Sequence, residues 1–209
     1  MIPKIIHQIW IGEKLPPQDY LDSWKITGFE YILWNEENLN KLEMTNRDKY
    51  DYYYDKKIYY GCADIARVEI LSQYGGLYID ADTLRLKDLP SEWFNYDFFA
   101  VKAYDDPQWD IRITNGIIGA SINNSIIRDY KEKIQTATKI MPCWSTIGGT
   151  ALTKVIKEKY INDPMVLILE PWTFYPKWKH TVHPRASEAY ATHIWGSKTK
   201  KLYKSKDTS

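Results

Sequence analysis

The sequence predicts an α/β domain with a mixed, mostly parallel central sheet. Strand-sized apolar runs alternate along the chain with segments at helical spacing. No Pro-, Gly- or Ser-rich linker divides the chain, and no internal repeat is present. At roughly 150 residues per domain, 209 residues suit one domain with small additions and can bury a substantial core.

Lys4 to Ile11 mixes β-branched apolar residues with His7 and Gln8 and ends at Gly12, as a buried strand would. After the Pro16-Pro17 turn a helix is expected around Asp19 to Lys25. A second strand, Tyr31-Ile32-Leu33-Trp34, stops at Asn35, a residue suited to capping a helix with Asn38 to Met44 inside it. Tyr50 to Tyr60 packs six tyrosines among Asp and Lys, too amphipathic for disorder; it reads as a helix surface or the rim of a binding site. Residues 61 to 74 give the clearest helix, with Ile65, Ala66, Val68, Ile70 and Leu71 forming an apolar face. Gly75-Gly76 ends it, because a left-handed closing residue is cheapest as glycine. Leu77-Tyr78-Ile79 is a short strand running into Asp80-Ala81-Asp82. Strands are expected again at Phe98 to Ala103, Ile113 to Ala120 and Met165 to Leu169. Helices are expected after Asn124 to about Ile134 and from Gly149 to about Lys159.

Composition excludes several classes. Two cysteines, Cys62 and Cys143, cannot build a disulfide scaffold, and no Cys/His cluster has zinc-site spacing. With 28 basic and 27 acidic side chains, bulk charge gives no reason to expect nucleic acid as a partner. The N-terminus lacks the cationic and apolar regions of a signal peptide, and no run approaches a membrane span of roughly 20 residues. A cytoplasmic protein is expected. Lys198, Lys200, Lys201, Lys204 and Lys206 form a basic C-terminal tail, residues 198–209, that could touch anionic headgroups at the inner face of the cell membrane. Tyr and Trp, 17 and 9 against 5 Phe, suit a protein that handles rings or sugars, although core and rim duty explains such a surplus equally well.

Asp80-Ala81-Asp82 carries the sharpest chemistry. Two carboxylates one residue apart at a strand end can face one cation, and Mg2+ or Mn2+ bound by oxygen ligands keeps positions open for phosphate oxygens. In open α/β sheets ligands sit beyond the carboxyl ends of the strands. Asp64 and Arg67, at i and i+3, interrupt an otherwise apolar helix. Buried charges are costly unless paired, so these two either pair with each other or line a polar pocket.

Three segments together resemble the DxD-containing glycosyltransferases of family 32. They are Ile5-Ile6-His7-Gln8-Ile9-Trp10-Ile11-Gly12, Ala63-Asp64-Ile65-Ala66-Arg67, and Gly75-Gly76-Leu77-Tyr78-Ile79-Asp80-Ala81-Asp82. That family includes bacterial capsule and surface-polysaccharide enzymes and yeast initiating outer-chain mannosyltransferases, and the pattern recurs in clostridial toxin glucosyltransferase domains. The resemblance implies a single GT-A, Rossmann-like nucleotide-sugar domain over residues 1–197. It implies a metal-dependent, retaining transfer of a hexose from a nucleotide-sugar, UDP-hexose or UDP-N-acetylhexosamine, to a glycan or lipid-linked saccharide. By the same resemblance Ile9 and Trp10 hold the nucleotide, with the base stacked on Trp10, and Asp64 and Arg67 hold the donor sugar and diphosphate. Asp80 is shared among ribose, sugar and metal, and Asp82 ligates Mn2+ (or Mg2+) directly. Asp80, Asp82 and Arg67 are the implied catalytic set.

Near the C-terminus, Ala191-Thr192-His193-Ile194-Trp195-Gly196-Ser197-Lys198 is similar to the family's closing segment. It gives His193 to the metal, and Ser197 and Lys198 to the donor; Lys198 stands where the family has tryptophan. Asn115 to Ala120 and Gly148-Gly149-Thr150 resemble pieces beside the acceptor site. Asp105-Asp106 reads as a solvated turn. Two other readings start from the same residues. Asp80-Ala81-Asp82-Thr83 fits an aspartyl-phosphate phosphohydrolase, but lies far from the first strand. The aromatic surplus fits a non-catalytic carbohydrate-binding module, which leaves the carboxylate pair unexplained.

Overall fold

The computed structural model describes residues 1–103, 111–178 and 181–194. In chain order the elements begin with β1 (Ile5–Ile9), α1 (Gln18–Ser23), β2 (Glu30–Trp34), α2 (Glu36–Lys41), α3 (Arg47–Asp55) and α4 (Tyr59–Tyr74). Next come β3 (Gly76–Ile79), β4 (Thr83–Arg85), β5 (Phe98–Lys102), β6 (Ile113–Ala120), α5 (Ser125–Gln135), α6 (Cys143–Thr146) and α7 (Gly149–Lys159). The last are β7 (Val166–Leu169), a ribbon of β8 (Lys177–Trp178) with β9 (Thr181–Val182), and β10 (Ala191–His193). Six strands form the central sheet in the order β2-β1-β3-β6-β5-β7, and β6 alone runs against the others. That reversal puts the start of β6 beside the C-terminal ends of its neighbours, at the edge where such sheets bind ligands.

Alternating side chains build a core on each face of the sheet. Tyr78, Phe98, Ala100, Ile118 and Ala120 join the cluster beneath α4, α5 and α7. Leu77, Ile79, Phe99, Val101 and Ile117 pack on the other face with Trp24, Trp93, Phe94 and Phe174. Gly119 is fixed by this packing, since a Cβ there would lie 2.3 Å from the Phe99 ring.

Most expected elements are present, with informative differences. Helix α2 ends at Lys41, short of Met44, with Asn35 and Asn38 forming a reciprocal capping box at its start. Helix α4 is buried on nearly every side, not on one apolar face, because it lies between the sheet and helices α3, α5 and α6. The tyrosine run splits by helical phase. Tyr50 and Tyr53 of α3 are core, with the Tyr53 hydroxyl donating to the Ile140 carbonyl, whereas Tyr52, Tyr54 and Tyr60 are exposed. Trp34 and Trp93 are buried. Strands β4 and β10 were not expected at all. Asp105-Asp106, Ser197, Lys198 and the basic tail lie outside the described residues.

His7, fully buried in β1, ties the sheet to the end of α4. Its Nδ1 accepts from the Trp34 indole at 3.1 Å, so Nε2 carries the proton and donates to the Gly75 carbonyl at 2.9 Å. Burial pulls its pKa down from 6.5 to about 4, against a smaller upward pull from the Gly75 bond. As pH falls below 6.5 the unfolded chain takes up a proton that the folded chain refuses. The site's stabilisation is therefore full above pH 6.5 and is lost by about pH 4, a swing of about 3 kcal/mol. Urea midpoints are expected to fall over that window while the His7 ring proton resonance titrates near pH 4; a His7 midpoint near 6.5 would contradict the buried assignment.

Candidate active site

Strand β3 delivers the carboxylate pair to the middle of the ligand-binding edge. Asp80 follows Tyr78 by two residues and so continues the face that looks toward α4. The Tyr78 hydroxyl donates to Asp80 Oδ1 at 2.8 Å, and Arg67 Nη1 reaches the same oxygen at 3.1 Å. The Asp80 amide donates to the Gly116 carbonyl at 2.8 Å, pinning the end of β3 to β6.

Arg67 joins the two charged motifs. Its Nη2 lies 3.2 Å from Asp64 Oδ1, Nη1 also donates to the Asn115 carbonyl at 2.5 Å, and Nε donates to the Ala63 carbonyl at 2.9 Å. The guanidinium lies over the Tyr78 ring at 4.5 Å. Asn115 then donates to Asp64 Oδ1 at 2.7 Å. The simple ion pair and the polar pocket are thus one object, in which Asp64 and Asp80 share one guanidinium. Burial pushes Asp64 above the usual carboxylate range despite Arg67 and Asn115. For Asp80, burial also pushes upward, but Arg67 followed by His193 and Tyr78 outweighs it and holds the carboxyl below its ordinary value.

His193 arrives through the two strands that local pattern did not reveal. Strands β10 and β4 pair antiparallel with His193 opposite Thr83, and the Ile194 amide donates to the Asp82 carbonyl at 3.1 Å. His193 Nε2 consequently lies 3.0 Å from Asp82 Oδ1 and 3.5 Å from Asp80 Oδ2. Burial lowers its affinity for a proton, yet hydrogen bonds to and charge on Asp80 and Asp82 push the pKa up to about 9. Without a cation, a proton on the imidazole bridges the two carboxylates.

The same three groups fit a divalent metal. One ligand atom from each of Asp80, Asp82 and His193 lies within 4.8 Å of the other two. Two carboxylate oxygens and one imidazole nitrogen suit Mn2+ or Mg2+ with positions left for phosphate. The charge fits as well: with His193 neutral, Arg67 against Asp64, Asp80 and Asp82 leaves a formal surplus of two negative charges. The ordinary pKa order would then reverse, the cation displacing the imidazole proton.

The other expected residues are spread around this centre. Trp10 follows β1, where its amide donates to the Trp34 carbonyl and its indole donates to the Lys14 carbonyl, both at 2.9 Å, which sets the ring's orientation. Ile9 gives its side chain to the core, so it can offer a ligand only its main chain. Ser197 and Lys198 cannot be placed, being outside the described residues.

Several supporting residues escaped sequence reasoning. Tyr78 carried a usable signal, since it shares a strand face with Asp80. Tyr175 carried none; its hydroxyl donates to Thr114 at 3.0 Å and its ring stands 5.6 Å from that of His193. Gly116 is the imprint of Asp80, because a Cβ there would lie 2.5 Å from Asp80 Oδ2 and 3.2 Å from the Tyr175 hydroxyl. Gly116→Ala is therefore expected to leave the fold intact but weaken Mn2+ binding about tenfold or more by displacing one ligand oxygen, an outer-residue effect of ordinary size. Mn2+ titration by electron paramagnetic resonance checks it, with unchanged affinity the contrary result.

Comparisons with known proteins bear on the family and on the fold. The family model described as capsular polysaccharide synthesis protein matches residues 5–137. An uncharacterized glycosyltransferase of Acanthamoeba polyphaga mimivirus is 36% identical over 138 residues, 62% of this chain and 54% of that protein. Inositol phosphoceramide mannosyltransferase 3 of Schizosaccharomyces pombe is 34% identical over 93 residues, 39% of this chain and 24% of that protein. The chain thus spans about half or less of these curated relatives. Among solved structures, the PaToxG glycosyltransferase superposes with a TM-score of 0.60 at 17% identity, over 77% of this chain and 70% of that one. The ligand-free glycosyltransferase domain of the YGT toxin gives 0.52 at 13% identity, over 80% and 79%. At such identities the likeness establishes the fold, which is that of GT-A glycosyltransferase domains.

Proposed function

The chain belongs to the capsular polysaccharide synthesis protein family, and from that premise we propose that it is a metal-dependent, retaining glycosyltransferase. It moves a hexose from a nucleotide-sugar, with UDP the favoured nucleotide, to a hydroxyl of a glycan or lipid-linked saccharide in surface-polysaccharide synthesis. The observation that carries this reading is the convergence of Asp80, Asp82 and His193 on one point at the sheet's ligand edge. The curated relatives named as glycosyltransferases support the reaction class, and those named for inositol phosphoceramide support a lipid-linked acceptor. Action at the cytoplasmic face of a membrane belongs to the same proposal; no helix among the described residues is long and apolar enough to cross one.

In this mechanism Asp82, Asp80 and His193 would hold the cation. Bound there, Mn2+ or Mg2+ would neutralise the donor diphosphate and the charge that builds on the leaving nucleoside diphosphate. Arg67 fixes the rotamer of Asp80 and keeps it ionised, so its contribution to the leaving group passes through that carboxylate. Trp10 stacks the base, an interaction worth about 1–3 kcal/mol for an aromatic on a heterocycle. Asp64, oriented by Arg67 and Asn115, accepts from a donor-sugar hydroxyl. Departure and attack take place on one face of the sugar, with a donor phosphate oxygen taking the acceptor's proton, because Asp64, Asp80 and Asp82 already have other work.

A screen of nucleotide sugars for slow hydrolysis tests the proposal without an acceptor. One UDP-sugar is expected to release UDP only when Mn2+ or Mg2+ is present. Release of phosphate from a generic phosphomonoester, with no nucleotide-sugar hydrolysed, would overturn it in favour of a phosphohydrolase.

A further inference from the structure

Helix α3, the start of α4 and the segment leading into α6 meet in one exposed face, and Tyr53 pins them together. Its hydroxyl donates to the Ile140 carbonyl, and its ring lies against Gly61, where a Cβ would come within 2.6 Å. The Tyr52 ring stands edge-on to it at 5.6 Å. Around this buried ring the neighbours turn outward. Tyr60 is 62% exposed and Trp144 59%, with Tyr52 and Met141 exposed beside them. Large apolar groups gathered in the open mark a surface that meets something.

The face ends at the carboxylate pocket. Tyr60 lies one turn before Asp64 on α4. At Gly148 a Cβ would lie 2.9 Å from the Trp144 backbone and 3.2 Å from Asp64 Oδ2.

Charge on this side is sorted by the phase of α3. At about 100° per residue, Lys49, Tyr52 and Lys56 fall on the flank toward segment 135–144, where Lys49 donates to the Gln135 carbonyl at 3.1 Å. Asp48, Asp51 and Asp55 centre about a third of a turn away. Lys56 lies over the Tyr52 ring at 5.0 Å, and Lys139 stands exposed on the loop between α5 and α6. Neither lysine makes an ion pair among the described residues.

This mixture matches the chemistry of a lipid surface. Trp and Tyr join an apolar ring to a polar tip and are enriched at headgroup depth. Lysines beside them attract anionic lipid, each by roughly fivefold in affinity. Protein interfaces also favour Trp, Tyr and Met, but they are depleted in lysine; here lysines stand among the aromatics.

We infer that this face docks on an anionic lipid bilayer, with Tyr60 and Trp144 at headgroup depth and Lys56 and Lys139 against the lipid charges. Its purpose rests on the transferase reading, which it deepens: docking here sets the mouth of the carboxylate pocket against the surface that carries a lipid-linked saccharide. Docking itself needs no donor. The face is also separate in sequence from the basic tail, so substitution distinguishes the two.

Vesicle flotation of the full chain is the test. The wild type is expected to float with vesicles of equal parts phosphatidylcholine and phosphatidylglycerol, and to stay behind with phosphatidylcholine alone. Tyr60→Ser combined with Trp144→Ser should weaken binding about tenfold or more, and Lys56→Gln combined with Lys139→Gln about twentyfold. Thermal midpoints should not move, because all four side chains are exposed. No wild-type binding to the anionic vesicles overturns the inference and leaves a protein as the occupant of this face. Equal flotation with phosphatidylcholine alone overturns the anionic surface. Wild-type binding by both variants also overturns it, since the basic tail would then carry the attachment. UDP titration with Mn2+ on the same samples reads the transferase site: no UDP binding, beside flotation that depends on this face, removes the transferase reading and leaves the docking face standing.

Discussion

Asp82→Asn is expected to reduce turnover by about three orders of magnitude or more while leaving the folded protein intact. Asp82 lies at a strand end with its side chain 20% exposed, and an amide can occupy the same space. What the amide lacks is charge. A neutral oxygen is a poor ligand for a hard divalent cation, and the cation's stabilisation of a leaving diphosphate amounts to several kcal/mol, at 1.36 kcal/mol for each tenfold in rate. Loss of the Asp82 charge also frees His193 from one of the two groups that raise its pKa. Donor hydrolysis assayed with saturating Mn2+ measures the effect, and near-wild-type activity would remove Asp82 from the metal.

Arg67→Leu is expected to have the largest effect on the fold. The side chain is buried, and its guanidinium is the cation that Asp64 and Asp80 have in common. Removing one partner of a buried ion pair leaves the remaining charges without compensation, a loss of about 3–5 kcal/mol. Against a total stability of about 5–15 kcal/mol, that is enough to unfold a substantial fraction of the protein. Arg67→Lys should recover only part, because one ammonium cannot reach Asp64, Asp80 and the Asn115 carbonyl together. Asp64→Asn combined with Arg67→Leu should destabilise less than the two changes summed, since they remove one shared contact. Urea unfolding of the four proteins checks this, and strict additivity would mean that Arg67 and Asp64 act apart.

The elements that sequence made legible are those whose pattern is local. Asn124 caps α5 by accepting from the amides of Ile126 and Ile127, and Gly149 opens α7, both at the expected positions. Asp64, Arg67, Asp80 and Asp82 could be picked out because each breaks an apolar run, and a charge within buried sequence needs a reason. His193 was within reach only through resemblance to a family, since its approach depends on β4 and β10, three residues each and paired across more than a hundred positions of sequence. Gly116 and Tyr175 lay beyond reach for a related reason: a glycine that makes room for another segment's carboxylate looks like any glycine until the two segments meet. The tyrosine run shows the opposite failure. Its composition suggested a surface, but helical phase buried Tyr50 and Tyr53 while leaving Tyr52 and Tyr54 outside. Of the aromatic surplus, Trp10 is the one placed to meet a ligand ring in the function proposed above.

The most direct test of the central claim, that Asp80, Asp82 and His193 form a metal centre for a nucleotide-sugar, is calorimetric titration of UDP with and without Mn2+. The wild-type chain is expected to bind UDP only with the metal, and Asp82→Asn to bind it weakly under either condition. UDP binding that is equal with and without Mn2+, and unchanged by Asp82→Asn, would contradict the account.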